Sequence, residues 1–468
     1  MNPNPAGPPA PPHQAGDRIE LLLSDLGEDD TCFGRLDSGI GVFVKGLAAP
    51  GDRVAARVKA VQKRLLHADL LDILQPGEPR IAPPCPHFGD CGGCKWQQIP
   101  YEEELRLKTR RVRDALAHIA RIPDPPLQPI LHGDEPYASR NKLQFDFTRA
   151  ADGTLRPGFH RHGSFTEIVP LTTCLHASER LRRLFDSCRR FFATRSEPVY
   201  DAAAETGLLR RLTLRESAHE QRCLVDLATS APENQLAAAL AQHVKAGCPG
   251  IPVAVSQTIR PPNDPSKTVP FSGDPVLVES VAGFDFAVPP DGFFQVNTPM
   301  AGKLVAQALA YASPGPADLV LDLYCGVGLF SLPLARQVRK LAGFESHVGA
   351  IQSATENARR NRVANTVFFT SDLSRPDAVH AMTRMAGFTP TLVLLDPPRS
   401  GLSKPLLEWL CQTRPARLVY VSCNPGSLAR DLGRLITRGG YALTSCTPAD
   451  LFPRTNHVES VSLLVKQT

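Results

Sequence analysis

The sequence contains no uninterrupted apolar run of about 18 residues, which excludes a helical membrane span. It also lacks an excess of either charge, with 52 Lys and Arg facing 47 Asp and Glu for a net charge of +5. That balance permits a nucleic acid as partner without demanding one. No basic-then-apolar leader opens the chain, so a cytoplasmic location is expected. Internal repeats are absent, and nothing in the pattern calls for an obligate protein partner. Aromatic residues are sparse at 6%, but 42% of residues are hydrophobic and 21% charged, which excludes wholesale disorder. At roughly 100–200 residues per domain, 468 residues imply two to four domains.

What the chain does have is cysteine, twelve in all. In a reducing cytosol these are not expected to pair. Cys32, Cys188, Cys223, Cys248, Cys325, Cys411 and Cys446 are scattered and read as small core residues. Cys85, Cys91 and Cys94 crowd into ten residues, which scatter does not produce. By spacing alone they are three soft metal ligands short of a fourth, suited to zinc or to an iron–sulfur cluster.

Residues 1–16 hold six prolines and are expected to form a disordered tail. Residues 17–75 carry short apolar runs (Ile19–Leu23, Val42–Val44, Val54–Val61, Ala68–Leu74) between turn signals such as Asp37-Ser38-Gly39. Five short strands predict an OB-like β-barrel, a shape that often holds nucleic acid. The barrel is not basic overall, with 8 Lys and Arg against 10 Asp and Glu, although Arg53, Arg57, Lys59, Lys63 and Arg64 bunch together. Residues 76–284 read as a central α+β domain that starts with a Pro-rich linker. In it Tyr101–Ile119 is expected to be helical, with Leu105, Val112, Leu116 and Ile119 at helical spacing and Arg106, Lys108, Arg110, Arg111 and Arg113 between them. Such a charge run is usually a solvated face, though beside a metal-ligand cluster it is also a candidate RNA contact. Further helices are expected at Ala177–Thr194 and Glu233–Gly247. Tyr137-x-x-Arg140-Asn141-Lys142 offers two cations for phosphates and a ring for stacking, or is simply a surface strand.

Residues 285–468 change rhythm. Buried-strand runs at Leu319–Leu323, Leu341–Phe344, Val367–Thr370, Leu392–Leu395 and Leu418–Val421 alternate with helical segments, and Ser460–Val465 adds a last strand. This is the pattern of an α/β fold with a doubly wound, Rossmann-like parallel sheet. The first strand breaks into Tyr324-Cys325-Gly326-Val327-Gly328 and then a helix, whose N-terminus favours an electron-rich group. Glu345 ends the next strand, 23 residues beyond Asp322, in position to accept from ribose hydroxyls. Position 331 is Ser, so the dinucleotide fingerprint is incomplete. With no pyrophosphate cradle, S-adenosylmethionine fits better than NAD, and Ser371-Asp372 stands where the adenine would lie.

Asp396-Pro397-Pro398-Arg399 and Ser422-Cys423-Asn424-Pro425 follow the fourth and fifth strands, so Asp396 and Cys423 are expected to converge on the ligand crevice. A helix N-terminus lowers a thiol pKa, which would make Cys423 a nucleophile. A thiolate beside a methyl donor has one evident use. Carbon 5 of a pyrimidine is not nucleophilic until a thiolate adds to carbon 6, and the adduct then has to lose its carbon-5 proton to a base. His457 or Glu459, in His457-Val458-Glu459, could supply that base.

These residues together resemble the S-adenosylmethionine-dependent RNA uridine-5 methyltransferases, whose bacterial members act on 23S rRNA or on the tRNA T-loop. The resemblance covers nearly the whole chain beyond the tail. It rests on Gly292-Phe293-Phe294-Gln295-Val296-Asn297, Asp322-Leu323-Tyr324-Cys325-Gly326, Asp396-Pro397-Pro398-Arg399-x-Gly401, Ser422-Cys423-Asn424-Pro425 and His457-Val458-Glu459. It implies a TRAM barrel over 17–75 and a class I methyltransferase domain at the C-terminus. It implies Cys423 as nucleophile, Glu459 as proton acceptor, and Gln295, Tyr324, Glu345, Asp372 and Asp396 around cofactor and uridine. Leu329 and Asp372 stand where some members have Asn. The family arrangement also implies that Cys85, Cys91, Cys94 and the distant Cys174 hold a [4Fe–4S] cluster, which favours 23S rRNA over tRNA as substrate. One rival reading is an amino-group methyltransferase built on Asp396-Pro397-Pro398, though Arg399 replaces the aromatic such loops use to stack a base. The other is a non-catalytic RNA-binding or redox-sensing iron–sulfur protein.

Overall fold

The computed structural model describes residues 13–27, 31–62, 65–77, 79–261 and 266–467. Most of the expected tail, and Lys63 and Arg64 of the basic bunch, lie outside the described residues. Two compact units are formed. The first takes in Met1–Leu107, Arg161–Glu167 and Arg454–Asn456; the second takes in Lys108–His160, Ile168–Pro453 and His457–Thr468.

In the first unit, β1 (Arg18–Leu26), β2 (Thr31–Arg35), β3 (Gly41–Lys45), β4 (Arg53–Gln62) and β5 (Leu65–Gln75) close into a barrel in the order β1-β2-β3-β5-β4. Period-two alternation explains it: Ile19, Leu21 and Leu23 are buried while Glu20 and Leu22 between them face out. Closure leaves no strand edge unpaired. Asp52, fully buried, accepts from the Ala49 and Gly77 amides at 2.8 Å each and from the Arg80 guanidinium, which fixes the turn before β4. The cysteine-rich loop follows in tight turns, with the Phe88 amide bonding Cys85 O and the Cys91 amide bonding His87 O. Helix α1 (Tyr101–His118) comes next.

The second unit contains two seven-stranded sheets and a two-stranded hairpin. The first is built from β6 (Lys142–Arg149), β7 (Leu155–His160), β8 (Ile168–Pro170), β9 (Leu209–Ser217), β10 (Arg222–Thr229), β11 (Val253–Ile259) and β12 (Lys267–Ser272), ordered β12-β11-β10-β9-β6-β7-β8. Helices α2 (Glu179–Ala193) and α3 (Asn234–Gly247) fall where helices were expected, and Ser178 caps α2 by accepting from the Leu181 amide. A hairpin, β13 (Leu277–Val281) and β14 (Phe284–Val288), leads to α4 (Thr298–Ala312).

The second sheet is the expected doubly wound one. Its elements are β15 (Leu319–Leu323), α5 (Ser331–Ala335), β16 (Lys340–Glu345), α6 (Val348–Arg360), β17 (Thr366–Thr370), α7 (Pro376–Ala386), β18 (Leu392–Leu395), α8 (Lys404–Thr413), β19 (Arg417–Ser422), α9 (Pro425–Gly439), β20 (Tyr441–Ala449) and β21 (Glu459–Lys466). The order is β17-β16-β15-β18-β19-β21-β20, with β21 antiparallel to both neighbours. Two cores form. Leu323, Leu395 and Tyr420 pack with Met382, Leu407 and Leu432 of α7–α9, while Leu341, Leu394 and Val419 pack with Leu304 of α4 and Phe286 of the hairpin. Strand β20 was not expected, because Ser445, Thr447 and Pro448 and a bulge between Leu443 and Ser445 interrupt its apolar run. The helix after the glycine loop differs from expectation too. α5 is one buried turn containing Pro333, so a helix dipole offers little there, and side chains and loop amides must meet a ligand instead.

Candidate active site

The carboxyl ends of β15 to β19 carry Tyr324, Glu345, Ser371-Asp372, Asp396 and Cys423 along one edge. Strand order reverses about β15, and open α/β sheets bind ligands in the crevice at such a point. A cleft of about 1050 Å³ lies there. Gln295, Tyr324, Glu345, Asp372, Asp396, Cys423 and Glu459 all line it. Glu459 arrives from the antiparallel neighbour, since Ser422 pairs with Ser460 and sets Cys423 and Glu459 on adjacent strand ends.

The loop after β15 turns through left-handed backbone at Tyr324, Gly326 and Gly328, with φ of 67°, 53° and 89°. Such a conformation is rare for a ring residue, and the Tyr324 amide is held by Phe344 O at 2.8 Å. Glu345 caps its own turn after β16 by accepting from the Ser346 and His347 amides at 2.7 and 3.0 Å, and reaches the β15 loop at the Gly326 amide, 3.4 Å away. Beneath it Asp322 accepts the Ser331 hydroxyl on one oxygen, while its buried Oδ1 has no hydrogen-bond partner. Burial pushes the Asp322 acid up to about 7, against the pull of Ser331. Asp372 is exposed and turned onto its own loop, where the Ser374 hydroxyl and amide hold it below the usual carboxylate range. Leu329, at the position where some members have Asn, is buried in the core.

Cys423 sits between β19 and α9, whose first turn is capped by the Asn424 side chain accepting from the Gly426 and Ser427 amides. The expectation of a lowered thiol pKa is corrected. Burial, then the Glu459 and Asp396 carboxyls, push the Cys423 thiol up to about 11, against the pull of Arg399 and a backbone hydrogen bond. The helix terminus is outweighed by two like charges in a desolvated site. Burial and Asp396 raise Glu459 to about 8, and burial with Asp322 and Glu345 raises Asp396 to about 7. An Arg399 guanidinium nitrogen lies 2.7 and 3.1 Å from the two ring nitrogens of His457, and the Glu459 carboxyl is near enough to raise the Cys423 thiol.

Two residues that support this site carried no sequence signal. Asp431 accepts from the Leu402 amide at 2.7 Å and the Tyr420 hydroxyl at 2.9 Å, and Arg430 bonds both Asp431 and Ser400 O. Together they hold the loop bearing Arg399. Gly401 lies against them at φ 79°, where an added Cβ would come within 2.4 Å of Asp431 Oδ2. A polar residue on the buried face of α9 was the only available hint.

Cys85, Cys91 and Cys94 belong to the first unit and Cys174 to the second; all four are half-buried thiols outside any disulfide. Among the described residues no group of three or more His, Cys, Asp or Glu is arranged to hold a metal ion. The Tyr137 ring lies against His176, with centroids 6.1 Å apart. Among the described residues no helix is long and apolar enough to cross a membrane.

The doubly wound sheet, with a cleft over its strand ends that sets a cysteine beside a buried carboxyl, is the frame of an enzyme of the methyltransferase class. The chain belongs to the RNA (uracil-5-) methyltransferase family. Residues 280–467 match the family model described as tRNA (Uracil-5-)-methyltransferase, and residues 12–71 match the TRAM domain. An RNA methyltransferase of Chlorobaculum tepidum is 37% identical over 96% of both chains, and one of Gloeobacter violaceus is 34% identical over 96% of both. Among solved structures, the Pyrococcus abyssi tRNA (uracil-54, C5)-methyltransferase in complex with S-adenosyl-L-homocysteine superposes with a TM-score of 0.70 at 24% identity, covering 96% of this chain and all of that one. That likeness extends the shared fold along the chain.

Proposed function

We propose that this protein methylates carbon 5 of one uridine in RNA through a transient bond from Cys423 to carbon 6. The observation that carries the reading is the cleft itself, in which Cys423 and Glu459 share adjacent strand ends beside Asp396. The lining fits S-adenosylmethionine, with carboxylates at Glu345, Asp372 and Asp396 for hydroxyls and positive charge, and the Gln295 amide opposite. When bound, that cofactor supplies an electrophilic methyl group on a cationic sulfonium. Beside a cation, Cys423, Asp396 and Glu459 all ionise at lower pH. The Cys423 thiolate adds to carbon 6, and the ring electrons shift to carbon 5 and O4 as an enolate. Carbon 5 then takes the methyl group. The Glu459 carboxylate removes the carbon-5 proton, and the returning electrons expel the thiolate and restore the double bond.

RNA carrying 5-fluorouridine tests the chemistry, because no carbon-5 proton can leave. Wild type with S-adenosylmethionine is expected to form a stable protein–RNA adduct that Cys423→Ala abolishes. Glu459→Gln is expected to accumulate adduct on ordinary RNA with turnover reduced about 10²–10⁴-fold. An adduct that survives Cys423→Ala sinks the mechanism.

For the substrate we propose 23S rRNA, on the strength of the cysteine-rich loop; the tRNA T-loop is the alternative. Mapping 5-methyluridine in both RNAs with and without the protein separates them. Cys85, Cys91, Cys94 and Cys174 are proposed as ligands of a [4Fe–4S] cluster, supported by four soft, half-buried thiols. An anaerobic preparation is then brown and carries about four irons. A colourless protein with stoichiometric zinc contradicts it.

A further inference from the structure

The first sheet of the second unit has two unlike faces. On one, Phe145 stacks on Phe185 with centroids 4.3 Å apart, and Phe147 meets Phe192 edge-on. The other face is polar: strand register sets Lys142 opposite Arg215, Gln144 opposite Thr213, Asp146 opposite Arg211, and Asp226 opposite Thr213 and Ser256. Arg260 follows β11 directly. Two cations here have internal business. Arg211 pairs with Asp146 at 2.9 Å, and Arg215, 2% exposed, donates to Gly292 O at 2.8 Å, although its Nε and one terminal nitrogen have no partner. Arg140, Lys142 and Arg260 differ: among the described residues none of their side-chain nitrogens has a hydrogen bond or ion pair. Asp226, the acid among them, is already engaged by the Ser256 and Thr258 hydroxyls at 2.7 and 2.9 Å.

A half-buried cation without a counter-ion is costly, and several together call for an anion from outside. Burial and the Arg215, Arg260 and Arg211 guanidiniums press the Lys142 ammonium down to about 8, and the single acid opposing them, Asp226, does not outweigh them. Asn141 welds this face to the cleft wall, its amide bonding Val296 O at 2.7 Å and its side chain bonding Gln295 O at 3.0 Å and the Thr298 hydroxyl at 2.7 Å. Arg140, just before it, lines the cleft, and Lys142, just after it, opens the polar face.

Resting on the uridine reading above, we propose that Arg140, Lys142 and Arg260 form a phosphodiester track for the RNA strand that continues from the target nucleotide out of the cleft. Each contact displaces counter-ions, so binding should carry a salt dependence traceable to single side chains. The test is RNA binding by the full chain across a salt series, with single-turnover methylation alongside. Lys142→Gln and Arg260→Gln should each lower the slope of log K against log salt by about 0.7–1 and weaken low-salt binding about five- to tenfold. Lys142→Arg should restore the slope, and the surface control Arg359→Gln should leave it unchanged. Slopes that stay at the wild-type value in both Gln variants overturn the track. Adduct formation with 5-fluorouridine RNA by the wild type reports separately on the uridine chemistry, so the two ideas fail independently.

Discussion

Two buried carboxyls, one in each unit, show what burial alone does not decide. Asp52 in the barrel is 0% exposed and Glu459 in the cleft is 8% exposed. Asp52 meets two backbone amides and a guanidinium, so its charge is fully answered and it serves as a turn anchor. Glu459 has a second carboxyl and a thiol for company, with Arg399 as the only cation opposing them. Its proton is therefore held to about 8, within reach of a neutral-pH reaction. The same functional group becomes structure where partners are supplied and chemistry where they are withheld.

Removing Asp52 should break the comparison most severely. Asp52→Ala leaves Arg80 and two amides unanswered and should cost about 3–5 kcal/mol. Urea denaturation followed on the barrel reads this, and a loss under about 1 kcal/mol would mean that water replaces the carboxylate easily. The opposite sign is expected in the cleft. Because the folded Glu459 carboxyl keeps its proton to about 8, the folded state binds more protons than the unfolded one between the ordinary carboxyl pKa and 8. Stability contributed at this site is thus lost as pH rises through that window. Glu459→Gln removes the loss and should stabilise the ligand-free protein by about 1–3 kcal/mol at pH 8, with no gain at pH 4. Melting curves at the two pH values decide it; a destabilised Gln variant at pH 8 would show that Glu459 has a structural partner after all.

The parallel sheet was legible because its strands are buried on both faces and read as unbroken apolar runs, from Leu319–Leu323 to Leu418–Val421. The barrel was legible from period-two alternation and turn residues. Strand β20 was not, since a half-exposed, bulged strand need not be apolar. Within the site, Glu345, Asp372, Asp396, Cys423 and Glu459 lie at strand ends and could be found by position. Asp431 and Arg430 could not, because they act across the fold on a loop about 30 residues away in sequence. The direction of the Cys423 shift was also hidden: sequence shows a helix about to start, but not that two carboxyls share its desolvated pocket.

The smallest expected effect sharpens the comparison at the cofactor end, between two strand-tip carboxylates that sequence treats alike. Glu345 is half-buried; it accepts from the Ser346 and His347 amides of its own turn and from the Gly326 amide of the β15 loop at 3.4 Å, so its loss disturbs both the ligand contact and the turn that shapes the cleft. Asp372 is exposed, and among the described residues its carboxylate bonds only Ser374, within its own loop. In water such a group gains little from a hydroxyl partner that solvent can replace. Glu345→Gln should therefore weaken S-adenosylmethionine binding tenfold or more, at roughly 1.5–3 kcal/mol for a charged hydrogen bond, while Asp372→Asn should change it by less than about threefold. Isothermal titration with the cofactor product measures both. Equal losses in the two variants would show that Asp372 leaves Ser374 and closes on the ligand when it binds, and the exposed carboxylate would then belong with Glu459 among residues kept unpaired for use.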